Sequence, residues 1–351
     1  MSGRPDVLVV SLGTTKGLRV ADAGFAEQLR LAGATVALTA TRIGLTDRLR
    51  RGYPVNDLVE ALAVRRATAT AVARERPRAV VFSTTTAALL TLPLSVPYAI
   101  RFDAPAVLNR PGARNRVLHL LERRRMERAA VLLPASSSAA APLAAVATPT
   151  VVVPIPVAAS PEGPGEPSRP PVAVAYTPDP KAKGLDLLCA AWAQAALPGA
   201  RLDVYGIAPE TARAFLARRG IAEPSGVTWR GMVPAGEFRA ALRAAHVFVS
   251  AARWEDYGQA ALEAMSDGTL PALAPAGGPF EALPLARALD PALVAPDLEP
   301  PSLAAVLRHA FALPAPAVAG LRVRAAAALR DHTTERVVQR LADDVLPLLL
   351  S

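Results

Sequence analysis

Cysteine is almost absent from this chain: Cys189 stands alone among 351 residues. That excludes a disulfide framework and any thiolate-rich metal site, and it suits a reducing compartment. Cys189 lies in the apolar run Leu187, Leu188, Cys189, Ala190, where it is expected to be a small core residue. Aromatics make up only 5% of the chain, too few for a nucleic-acid surface that interleaves stacking rings with cations. The four histidines are scattered, two of them (His309 and His332) in the tail, and no Asp-x-Asp motif occurs. No catalytic metal is therefore expected. No G-x-G-x-x-G follows any expected strand, which disfavours a nucleotide-dependent dehydrogenase. The longest apolar stretch, from Ala87 to Ile100, contains two prolines and is too short to span a bilayer. The beginning does not read as a secretion signal, because Asp6 interrupts it and Val7 to Val10 runs into Gly13 as a buried strand would. A cytoplasmic protein is expected.

Apolar residues make up 52% of the chain, enough for substantial cores, and the length suits two domains. Lysine is rare, and the excess of Ala, Arg and Pro reads as the coding habit of a GC-rich genome. That habit accounts for Arg over Lys but not for where the charge sits. Residues 1–155 carry 21 Lys and Arg against 10 Asp and Glu, and residues 156–351 carry 18 against 20. The whole basic excess lies in the first half, which points to an anionic partner there, a lipid surface or an acidic acceptor.

Apolar β-rich runs alternate with helical patterns, as βα units with parallel sheets do. Strands are expected at 6–11, 35–40, 79–83, 98–102, 131–134 and 150–154. Asn56 is expected to cap a helix running toward Arg74, and 116–129 reads as another helix. Residues 156–171 are crowded with Pro, Gly, Ser and Glu and read as a linker. The alternation then restarts, with strands at 172–176, 202–205, 227–229, 247–250 and 270–274. The expected architecture is α/β, with two doubly wound Rossmann-like parallel-sheet domains, 1–155 and 172–314, facing across a ligand cleft. Residues 315–351 are read as C-terminal helices that pack back toward the N-terminal domain.

The most informative segment is VFVSAARWEDYGQAALEAM, from Val247 to Met265. A strand ends near Ser250, a loop presents Glu255, and a helix starts near Gly258. Amides at a helix start lack intrahelical acceptors and sit at the positive dipole end, so Gly258 and Gln259 would point toward an anion. Glu263 falls in an otherwise almost wholly apolar helix, where an acid needs hydroxyl or cationic partners. A ribose diol or a buried ion pair would serve.

Glu255 and Glu263, with seven residues between them, resemble the E-x7-E signature of family-4 (group 1) retaining glycosyltransferases of the GT-B fold. Four further elements agree in order: Lys183-Gly184-Leu185-Asp186, Val204-Tyr205-Gly206, Val227-Thr228-Trp229-Arg230-Gly231, and Gly277-Gly278-Pro279-Phe280-Glu281. They span about residues 172–300, and the first half matches only loosely. The resemblance implies that Lys183 neutralises the donor diphosphate, Glu263 binds ribose hydroxyls and Glu255 contacts the donor sugar. Tyr257, Gly258 and Gln259 would offer amides to sugar and phosphate, and Gly206 and Gly231 would help seat the base. In the first domain the loop with Gly13, Thr14, Thr15 and Gly17 resembles the family's Gly-rich turn, or is ordinary βα punctuation.

The chain departs from the family at two places. Pro178 stands where an Arg is common five residues before the lysine, leaving Lys181 or Arg253 to supply a second cation. Asp103 stands where many members have a His. It would orient or deprotonate an acceptor hydroxyl, with Arg101 holding its geometry, or else cap the turn before Pro105. The implied activity is metal-independent transfer of a hexosyl-type sugar from a nucleotide-diphosphate sugar to a hydroxyl acceptor, with retention and without a cofactor. The alternatives are a GT-B nucleotide-sugar epimerase and a catalytically degenerate nucleotide-sugar-binding protein. The expected setting is bacterial synthesis of cell-envelope glycans or glycolipids. The acceptor is expected to be anionic or lipid-linked, with peripheral membrane association through the basic first domain. The cluster Arg123, Arg124, Arg125 and Arg128 would serve this, or form a solvated helix face.

Overall fold

The computed structural model describes residues 3–14, 16–41, 55–91, 93–158 and 170–351. It divides into two compact units, Met1–Ile155 with Thr334–Ser351, and Pro156–Thr333. Each unit is built on a five-stranded parallel sheet, and together they have an α/β, two-domain architecture.

In the first unit, β1 (Val7–Ser11), β2 (Val36–Ala40), β3 (Ala79–Phe82), β4 (Tyr98–Phe102) and β5 (Val131–Pro134) take the order β2-β1-β3-β4-β5. Strand alternation assigns the side chains to two cores. Val7, Val9, Ala79, Val81, Ala99, Val131 and Leu133 fall on one face. Leu8, Val10, Val80, Phe82, Ile100 and Leu132 fall on the other. Burial on both faces is why these strands read as continuous apolar runs. Helix Lys16–Leu31 contributes Phe25, Ala26 and Leu29 to the first core, where Val337, Leu341, Val345 and Leu349 join them from the far end of the chain.

The second unit has β6 (Val172–Tyr176), β7 (Arg201–Tyr205), β8 (Val227–Gly231), β9 (Val247–Ser250) and β10 (Leu270–Leu273) in the order β10-β9-β6-β7-β8. Helices Leu185–Ala195 and Pro300–Ala312 cover one face of this sheet, over a core that includes Ala173, Leu202, Val204, Val247 and Val249. Cys189 is part of that core, and burial pushes its thiol pKa up to about 12. It is an inert small side chain.

Several expectations are corrected. No strand forms at 150–154: Thr150 makes a single parallel bridge to Leu132, and the amides of Val151 and Val153 donate to Leu132 and Pro134. Asn56 is not a cap, because it lies inside the helix Val55–Glu75. Helix Ala315–Ala328 belongs to the second unit, and the chain re-enters the first only at Thr334. A π turn at Leu341–Val345 precedes Pro347, whose missing amide cannot continue an α-helical ladder. Of the linker expected at 156–171, residues 159–169 lie outside the described residues.

Candidate active site

The strand order of the second sheet reverses between β6 and β9, so the loops after these two strands lie side by side. Crevices at such reversals are where open α/β sheets bind ligands. The loop after β6 is held by Asp179, whose carboxylate accepts from the amides of Lys181 (2.9 Å) and Ala182 (3.0 Å). The Lys183 amide then donates to Asp179 O at 2.9 Å. This tight turn sends the Lys183 side chain to Glu255 in the loop after β9, with Nζ 2.6 Å from Oε2. Both side chains are half-buried, at 23% and 17% exposure.

Three loops are laced together by backbone. The Arg253 amide donates to Ala182 O, Gly277 N to Arg253 O, Glu255 N to Gly277 O, and Glu281 N to Tyr257 O. The glycines permit this approach. At Gly184 (φ 63°) a Cβ would stand 2.0 Å from Ala251 O, and at Gly278 (φ 91°) 2.4 Å from Glu255 O. At Gly258 (φ 86°) it would meet the Phe280 ring at 2.2 Å. No L-residue fits these places.

Gly258 opens helix Gln259–Ser266. The amides of Ala261 and Leu262 close on Gly258 O, so those of Gly258, Gln259 and Ala260 have no acceptor within the helix. The Tyr257 side chain is buried. Gln259 Nε2 lies 3.3 Å from Pro156 O and 3.4 Å from Glu263 Oε1, while its Oε1 is buried without a partner. Burial raises the Glu263 pKa, against the charge of Arg239 and the Gln259 hydrogen bond. Arg239 is itself committed to Asp267, at 2.6 and 2.7 Å. Among the described residues Glu263 makes no ion pair, and the charge of Arg239 acts on it without direct contact. Gly206 (φ 87°) ends β7 against the Tyr176 ring and donates to Gly231 O at 2.8 Å. Gly231 has open space where a Cβ would be.

Sequence reasoning missed the partner of Arg253, one of the two cations considered for the Pro178 gap. Its guanidinium makes a bidentate pair with Asp186, at 2.7 and 2.9 Å. Burial works against Asp186, yet this pairing holds its carboxyl below the usual range. It also missed His332, buried with neither ring nitrogen hydrogen-bonded and Nε2 3.4 Å from Glu281 Oε1. The Asp of the Lys183–Asp186 element was the available signal for the first; a lone tail histidine carried none for the second.

In the first unit the sheet order reverses between β1 and β3. Gly13 (φ 66°) turns the chain just after β1, its carbonyl accepting from Arg19 Nη1 at 2.7 Å. Thr14 is half-buried in this loop, Thr15 lies outside the described residues, and Gly17 is in the first turn of helix Lys16–Leu31 rather than in the loop. Arg101, buried on β4, has an ion pair with Asp22, Nη1 3.7 Å from Oδ1. Ser11 donates to the other oxygen of Asp22, and the Arg101 guanidinium lies 4.8 Å over the Phe25 ring. Burial raises the Asp22 pKa, opposed by Ser11, Arg101 and Ser83. Arg101 Nε and Asp22 Oδ1 remain buried without hydrogen bonds. Asp103 is half-buried in the bend after β4.

Residues 172–313 match the family described as Glycosyl transferases group 1. No curated protein matches the chain. Among solved structures, a sucrose-phosphate synthase from Thermosynechococcus elongatus is 17% identical with a TM-score of 0.73, covering 95% of this chain and 96% of its own. A glycosyltransferase from Rickettsia africae is 13% identical at a TM-score of 0.69, covering 98% of each chain. Anabaena HepE, solved with UDP and glucose, is 16% identical at 0.66, covering 96% and 98%. Residues 172–313 are thus similar to group 1 glycosyl transferases, and the two sheets have the GT-B architecture of these neighbours.

Proposed function

We propose that the chain is a cytoplasmic glycosyltransferase that moves a hexosyl group from a nucleotide-diphosphate sugar to a hydroxyl acceptor, with retention of configuration and without a metal or cofactor. The observation that carries this reading is the Lys183–Glu255 contact at the switch point of the second sheet, beside a helix start whose first amides are free for an anion. Lys183 and these amides stabilise the negative charge that grows on the leaving diphosphate, a preorganised electrostatic role. Glu255 contacts the donor sugar, and Glu263 accepts from ribose hydroxyls. Asp103 orients or deprotonates the acceptor hydroxyl. The acceptor is anionic or lipid-linked, in keeping with the charge of residues 1–155.

The test is a thermal-shift screen against UDP-, GDP- and ADP-sugars, since a ligand that binds only the folded state stabilises it by mass action. UDP-glucose is the first probe, because HepE was solved with it. The stabilising donor is then used for transfer with EDTA present, and the anomeric configuration of the product is read by NMR. Retained configuration and full activity in EDTA are expected. No stabilisation by any nucleotide sugar, inversion, or strict dependence on a divalent ion would overturn the respective part of the reading.

A further inference from the structure

The first unit presents apolar side chains that its described residues leave uncovered. On helix Arg116–Met126, Leu118, Glu122 and Met126 face inward. The opposite face shows Val117 and Leu120, 70% and 50% exposed, with Arg124 one turn further along. This helix meets helices Val55–Glu75 and Ala106–Asn109 over a small core of Ala61, Leu89, Ala106 and Leu118. Three members of that core have an exposed apolar neighbour in the chain: Leu62 beside Ala61, Val107 beside Ala106, and Val117 beside Leu118.

The exposed charges beside them that lack an ion pair among the described residues are arginines. Arg114, Arg116 and Arg124 are exposed, and none has an ion pair among the described residues. The acids of the same helix are occupied: Glu122 accepts from the Ala106 amide at 2.9 Å, and Glu127 pairs with Arg123 at 2.8 Å. Two members of the expected arginine cluster are also engaged, Arg123 in that pair and Arg125 on Leu89 O at 3.1 Å.

We propose that this face docks on an anionic lipid bilayer, with Val107, Val117 and Leu120 entering the interface and Arg114, Arg116 and Arg124 taking headgroup phosphates. Exposed valine and leucine set among unpaired guanidinium groups suit a surface that is anionic outside and apolar just beneath. A nucleic acid would satisfy the arginines and leave Val117 and Leu120 in water. The proposal rests on the reading of the chain as a transferase for an anionic or lipid-linked acceptor, and it supplies the surface that brings the enzyme to such an acceptor.

The test is co-sedimentation of the purified full chain with phosphatidylcholine vesicles, with and without phosphatidylglycerol, at low and high salt. The wild type is expected to sediment with the anionic vesicles and to be released by salt. The double variant Val117→Asp/Leu120→Asp should lower partitioning at least about tenfold. Arg116→Ser/Arg124→Ser should lower it and flatten the salt dependence. All four positions are exposed, and an unchanged melting curve shows that each variant is folded. No binding by the wild type, equal binding to both vesicles, or wild-type binding by the double aspartate variant overturns the proposal. Donor-induced stabilisation is read on the same samples: its loss with vesicle binding retained fails the transferase reading alone, and the converse fails docking alone.

Discussion

Lys183 and Glu255, 72 positions apart in the chain, form an ion pair of 2.6 Å that joins the loops after β6 and β9. Each is the other's counter-ion at the place where a donor diphosphate and its sugar would lie. On the proposed function a donor would have to compete for Lys183, and the Glu255 carboxylate freed by that exchange would already be beside the sugar.

Removing Lys183 or Glu263 should weaken donor binding while the fold survives. In the proposed function each makes charge-assisted hydrogen bonds to the donor, so Lys183→Ala and Glu263→Ala should each raise the Kd by about 10- to 100-fold. Calorimetric titration with the donor found in the thermal screen checks this. Unchanged affinity in both variants would refute the site.

Two glycines with similar backbone angles should respond very differently to alanine. Gly184→Ala drives a Cβ to 2.0 Å from a backbone carbonyl at φ 63°, whereas Gly231→Ala meets open space at φ 70°. The second should cost about 1–2 kcal/mol, the price of left-handed backbone alone. The first should cost clearly more, because the loop must also move. Denaturant melts of the two variants measure the gap, and equal losses would contradict the packing described.

Glu263 should make stability fall as pH rises through the pKa of the folded protein. Burial raises that pKa above the ordinary value of 4.5, so between the two values the folded state holds a proton that the unfolded state has released. The contribution is complete below the unfolded pKa and disappears above the folded one. Glu263→Gln lacks this dependence, so its stability relative to wild type should increase with pH across the window. Parallel lines in urea melts at successive pH values would rule this out. Donor affinity should show the complementary trend, weakening toward acid as the carboxylate is protonated.

Asp22 and Arg101 should behave as a buried pair in which half is worse than none. Asp22→Ala leaves a buried guanidinium without its anion and should cost about 3–5 kcal/mol. Adding Arg101→Met should restore much of that loss. Chemical denaturation of both singles and the double gives the coupling directly, and additive losses would show that the two charges are independent.

Much of the candidate site in the second unit was legible because its residue types stand out locally. A lysine before a glycine is conspicuous where lysine is rare, and an acid inside an apolar helix demands an explanation. The strands were legible because two-sided burial leaves short apolar runs between polar segments. What escaped was pairing over distance. Nothing local says that Arg253 is taken by Asp186 or that Arg101 turns to Asp22 rather than Asp103, since each acid reads alone as a solvated helix residue. The re-entry at Thr334 was misplaced for a related reason. Helices Ala315–Ala328 and Thr334–Arg340 follow one another with no strand between them, and the cores they join set the boundary.

That re-entry also governs the order in which the protein can be made. Val337, Leu341, Val345 and Leu349 are fully buried in the core shared by the first sheet and helix Lys16–Leu31, and the ribosome delivers them after the whole second unit. Until then that face of the first sheet has only helix Lys16–Leu31 over it, a window for chaperone capture or aggregation. A fragment ending at Ile155 would lack these four side chains permanently and leave that core incomplete. The second unit, continuous from Pro156 to Thr333, is the half suited to separate expression.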